Sequence, residues 1–94
     1  MGFDTVLHPP ARLQIAAVLV NVTDAEFAKL RELVGVSDSV LSKHLAALAE
    51  AGHISLRKAA SDGRQRTWAA LTRSGRAAFK AHVAALQAIV AGTA

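Results

Sequence analysis

The chain has 94 residues, 52% of them hydrophobic but only 4% aromatic, with a formal net charge of +4 and no cysteine. Such a length fits one small domain, its core built mostly from Ala, Leu, Val and Ile, and leaves no room for a second domain carrying a substrate cleft. The missing thiol excludes disulfides and thiolate metal or redox sites, and the longest apolar run, Ile15 to Val20, falls far short of the roughly 20 residues that cross a bilayer.

Pro9 and Pro10 suit the entry or first turn of a helix, and the following stretch, RLQIAAVLVNV, is apolar around nearly its whole circumference. That helix expects burial on more than one side. In TDAEFAKLRELVG, Thr23 and Glu26 stand at capping-box spacing, Phe27, Leu30 and Leu33/Val34 share a face, and Gly35 supplies the stop. Ser37 then caps a third helix on which Leu41, Leu45 and Leu48 repeat at helical spacing until Gly52. Two short helices joined through Gly35 and Val36 form a helix-turn-helix pattern.

Beyond Gly52, Ile54 to Arg57 alternate, Asp62-Gly63 supplies a tight turn, and Thr67 to Leu71 return with Trp68 as the expected anchor on the core. Thr72 caps a last helix with Phe79, Val83, Leu86 and Val90 in one stripe and Ala78, Ala85 and Ile89 in a second, more apolar surface than one small core can cover. The order is helix, helix, helix, hairpin, helix.

With the leucines of the third helix turned inward, Ser39, Lys43, Ala46 and Glu50 face out, flanked by Val40, Ser42 and Ala47. A helix entering the DNA major groove needs such a face: short side chains permit close approach, and hydroxyls and a lysine can meet bases or phosphates. The charge asymmetry agrees, since His53 to Ala94 holds seven Lys/Arg against Asp62 alone. Arg57, Lys58, Arg64 and Arg66 lie on or beside the Asp-Gly turn, where a loop can reach backbone or minor groove. Catalysis finds no support: His8, His44, His53 and His82 show no metal-ligand spacing, Ser42 and His44 diverge on their helix, and no Gly-rich phosphate loop appears.

Together, "HPPARLQI", "LSKHLAALAEAGHI" and "DGRQRTWAALTRSGRAAF" resemble the winged helix-turn-helix transcriptional regulators over about residues 8 to 80, and look closest to the short, single-domain MarR-like group with kinship to the ArsR-like one. The resemblance implies a mainly α (α+β) fold, one domain over 1–94, with a helix-turn-helix at about 24–51, a wing at about 53–71 and a C-terminal dimerisation helix at about 72–91. It implies double-stranded DNA as partner, a homodimer, repression as the commoner mode and a cytoplasmic location, and neither membrane, cofactor nor metal; it specifies no small-molecule effector. Carried over by position, Ser37, Ser39, Val40, Ser42, Lys43 and His44 on the recognition helix and Arg57, Arg64 and Arg66 on the wing are the expected DNA contacts, with Thr67 and Arg12 weaker. Leu19, Phe79, Val83, Leu86 and Ile89 are the expected dimer contacts. The rival is a winged-helix module that binds another protein through the same apolar helices.

Overall fold

In a computed structural model that describes residues 2–92, the chain runs α1 (Pro10–Leu19), β1 (Ala25–Glu26), α2 (Phe27–Val34), α3 (Asp38–Glu50), β2 (Ile54–Ser61), β3 (Arg64–Leu71) and α4 (Arg73–Val90). Met1, Thr93 and Ala94, which the expected 1–94 domain includes, lie outside the described residues. The strands form one antiparallel sheet in the order β1-β3-β2, so the fold is an α+β winged helix. None of the helices among the described residues is long and apolar enough to cross a membrane.

Local chemistry sets most of the element ends. Gly35 closes α2 in the left-handed conformation with φ 75°, a region that costs glycine little. The Ser37 side chain accepts the Val40 amide at the start of α3. At its other end His53 N–H donates to Leu48 O at 2.9 Å and Gly52 N–H to Ala49 O at 3.0 Å, the paired bonds of a Schellman motif. Asp62 and Gly63 both take positive φ, 54° and 74°, which gives the hairpin turn the twist its strands need, with Ser61 opposite Arg64.

One element departs from expectation. Thr23 does not cap α2; Ala25 and Glu26 extend and pair with Ala69 and Trp68, and the helix begins only at Phe27, where the Glu26 carboxylate accepts the Ala28 amide. Two residues have no strand period of their own. Their conformation is imposed by the free edge of β3, which offers backbone partners and a place to bury Ala25.

The core is aliphatic, as the composition requires: Leu7, Ile15, Ala16, Leu19, Leu30, Leu41, Leu45, Leu48, Ile54 and Ala69 are buried together. Leu19 is therefore corrected from the expected dimer set, because it is fully buried in its own chain and has no surface to offer a second copy. Trp68 is corrected as well. Alternation along β3 turns Ala69 into the core and Trp68 to the other face of the sheet, where it is half-buried with the Arg57 guanidinium 5.6 Å from its ring centroid.

The segment before α1 ties distant elements together. The Asp4 carboxylate accepts the Val6 and Leu7 amides at 2.8 and 3.1 Å and lies 2.9 Å from His53 Nε2, while its own amide donates to His82 Nδ1 at 2.9 Å. His82 is fully buried, and burial, then the neighbouring His8, push its pKa below the ordinary value against a smaller opposing effect of Asp4. His44 shifts in the same direction through burial and Arg12. Burial acts to raise the Asp4 pKa, but the Leu7 and Val6 amides and His53 together outweigh it and hold the carboxyl below its usual range.

A histidine held neutral contributes its full stability above about pH 6.5 and loses it as the pH falls below that value, since the unfolded chain takes up the proton first. The Asp4 contribution persists to lower pH and is lost only as the pH falls through its depressed folded value. The urea midpoint is therefore expected to decline from pH 7 to pH 5, and His82→Gln, which keeps an acceptor for the Asp4 amide but cannot titrate, is expected to flatten that decline. A wild-type midpoint that holds constant over this range would contradict the arrangement.

Candidate nucleic-acid interface

On α3 the inward leucines leave Ser39, Val40, Ser42, Lys43 and Ala46 exposed on the outer side. Ser37 and Ser39 hydroxyls lie 3.3 Å apart at the helix start, and Asp38 is drawn sideways to Arg31 at 2.7 Å. Lys43 has no carboxylate partner among the described residues. His44 behaves differently from its neighbours: it is half-buried, and its Nδ1 accepts Arg12 Nε at 3.2 Å. His44 and Arg12, both expected at DNA, form a brace between α3 and α1.

Between α3 and the sheet lies a cleft of about 190 Å³ lined by Phe27, Ser42, Leu45, Ala46, Leu56 and Thr67. Register explains which hairpin residues reach it. Leu56 opposes Ala69 and Lys58 opposes Thr67, so these pairs share the face that packs on the core and continues toward α3. Arg57 opposite Trp68, and Arg66, project from the other face. There Arg57 Nη2 meets Asp24 Oδ2 at 2.7 Å and Arg66 Nη1 meets Glu26 Oε2 at 3.3 Å.

The structure thus divides the wing cations that the sequence presents as one group. Arg57 and Arg66 carry carboxylate partners, Arg64 is exposed beside the turn, and Lys58 extends on the α3 side without a carboxylate partner among the described residues. A second recess of about 420 Å³ lies between the start of α2 and β3, bordered by Arg31, Arg64, Gln65 and Arg66. Arg31 and Gln65 were not expected at a site. Nothing local marks them, because β1 and its pairing bring the start of α2 beside the wing.

Asp24 and Glu26 occupy arginines that could otherwise meet a phosphate. Asp24→Asn is expected to raise affinity for duplex of any sequence by about threefold at low salt, the equivalent of a surface ion pair of roughly 0.6 kcal/mol. Measured by fluorescence anisotropy, an unchanged or weaker affinity would mean that Arg57 does not contact the duplex.

Residues 11–90 match the family described as winged helix DNA-binding domain. The uncharacterized protein MJ0432 of Methanocaldococcus jannaschii is 32% identical over 78 residues, covering 83% of this chain and 85% of that protein. A transcriptional regulator homologue from Pyrococcus horikoshii OT3 superposes with a TM-score of 0.88 at 26% identity, covering 95% of this chain and 88% of the other. The transcriptional repressor BigR from Xylella fastidiosa shares the fold, with a TM-score of 0.69 at 24% identity over 84% of this chain and 74% of its own.

Proposed function

Since the chain belongs to the winged helix DNA-binding domain family, we propose that it is a MarR-like homodimeric repressor that recognises a near-palindromic DNA sequence. The exposed face of α3 carries this reading: small side chains around one lysine that has no carboxylate partner among the described residues, on a helix whose opposite face is locked into the core by three leucines. Placed in the major groove, Ser37, Ser39, Val40, Ser42 and Lys43 meet bases and backbone, while Lys58, Arg64 and Thr67 follow the duplex from the wing. Arg57 and Arg66 join after exchanging Asp24 and Glu26 for phosphate.

The α4 surface supports dimerisation. Its distal half leaves Ile89 56% and Val90 88% exposed, and Val83 and Leu86 are half-buried, a surface that a second copy would cover. Phe79 packs partly against its own core, so it belongs to the edge of such an interface. An isologous pair presents two copies of α3 to successive major grooves. A dimer seated on a promoter excludes polymerase, which is the repressing mode; the fold is shared with a protein described as a transcriptional repressor.

The test is a salt titration of binding to a random-sequence duplex pool, followed by selection of the tightest binders, for wild type and for Lys43→Ala and Arg64→Ala. Affinity should fall steeply with salt, selection should enrich a palindrome, Lys43→Ala should weaken or change that preference, and Arg64→Ala should reduce the salt slope by about one unit. Absence of duplex binding at low salt would reject the proposal in favour of a protein-interaction module using the same α4 surface.

A further inference from the structure

Of the side chains that make bidentate contacts to adenine or guanine, the α3 helix, DSVLSKHLAALAE, has no Asn, Gln or Arg and one lysine, Lys43. Its remaining polar groups are few. Asp38 is held by Arg31 and His44 by Arg12, and the Ser37 hydroxyl is engaged by the Val40 amide. Among polar groups, base readout is left to Ser39, Ser42 and Lys43, with Glu50 exposed only at the far end of the helix.

The same side of the helix also exposes apolar groups. Val40 is 40% exposed in the first turn, where recognition helices approach base edges. Its β-branched side chain adds nothing to helix propensity there and covers no core. Ala46 is exposed one turn beyond Ser42 at the mouth of the cleft, opposite Leu56, which is itself 41% exposed. In the major groove only thymine offers an apolar group, its 5-methyl.

Resting on the reading of α3 as the recognition helix, we propose that this chain selects its operator chiefly through thymine 5-methyl groups, received by Val40 and Ala46. Lys43 contributes the guanine or phosphate contact between them, and the serines fix the helix on the backbone. The operator half-site is therefore marked by thymines at the positions facing the first and third turns of α3.

The experiment starts from the tightest duplex selected by the wild-type protein and replaces each thymidine in turn by deoxyuridine, which removes the methyl and leaves the pairing intact. One or two positions in each half-site should lose affinity, each by about fourfold, the ratio for burying one methyl-sized group. In Val40→Ala, one of these positions should become insensitive while the other keeps its loss; circular dichroism establishes that the variant is folded. Deoxyuridine tolerated at every position while salt-dependent duplex binding persists would overturn methyl readout and leave the DNA-binding reading intact. A sensitivity profile identical in wild type and Val40→Ala would overturn the assignment to Val40, and no duplex binding at low salt would overturn both readings.

Discussion

Gly75→Ala is expected to destabilise the protein by about 3 kcal/mol, the upper range for forcing volume into a packed site. Helix propensity alone predicts the opposite sign, a gain of about 1 kcal/mol for alanine over glycine inside α4. The structure decides between them. A Cβ at Gly75 would fall on the His53 carbonyl oxygen and within 2.6 Å of that carbonyl carbon. These are backbone atoms, so no side chain can swing away.

That contact is the corner where α4 docks. Thr72 N–H donates to His53 O at 3.0 Å, and the Thr72 and Ser74 hydroxyls donate to Gly52 O at 2.6 and 3.1 Å. Separating α4 from this corner loosens three bonds together and disturbs the junction between α3 and β2. The thermal midpoint should fall by about 15 °C, taking roughly 5 °C per kcal/mol for a domain of this size. Ala77→Gly, at an exposed site on the same helix, should cost only the propensity difference. A raised midpoint for Gly75→Ala would show that the corner yields.

The second large effect concerns the proposed dimer. Leu86→Glu combined with Ile89→Glu is expected to leave the fold intact, because neither residue belongs to the buried cluster, and to produce a monomer. Burying two carboxylates without partners against apolar surface costs more than an interface of this kind can return. A monomer engages one half-site at a time and forfeits the effective concentration of a linked second site, which is worth about 100-fold or more in affinity. Sedimentation should therefore show a single protomer, affinity for the full palindrome should drop by at least that factor, and affinity for an isolated half-site should be unchanged. Equal losses on half-site and palindrome would place these residues in the domain's own packing rather than between copies.

Both effects depend on how far information travels along the chain. Leu41, Leu45 and Leu48, the left-handed Gly35, the Ser37 and Thr72 caps and the Asp62-Gly63 turn were all legible in the sequence, because each is settled by residues within a few positions of one another. The strand at Ala25–Glu26 was not, because an extended pair has no stability until β3 supplies its partner.

The candidate site divides along the same line. The lean outer face of α3 follows from helical spacing alone, since inward leucines fix which residues point away. Which wing cations are free does not, because that depends on β1 bringing Asp24 and Glu26 beside Arg57 and Arg66. The resemblance offered His44 as a DNA contact, and only the docking of α1 sets Arg12 against it. His82 sat among apolar residues with no sign of its partner, because Asp4 lies 78 positions away.

By itself, then, the sequence determined a helix-turn-helix followed by a basic hairpin and an over-apolar last helix, for these depend on periodicity, caps and turn chemistry within short windows. Tertiary structure alone decided the third strand, the pairing of the wing arginines, the contact of His44 with Arg12, the withdrawal of Leu19 and Trp68 from their expected roles and the steric demand at Gly75. Each of those is set by contact between segments far apart in the chain, where burial and register are fixed only once the core has closed.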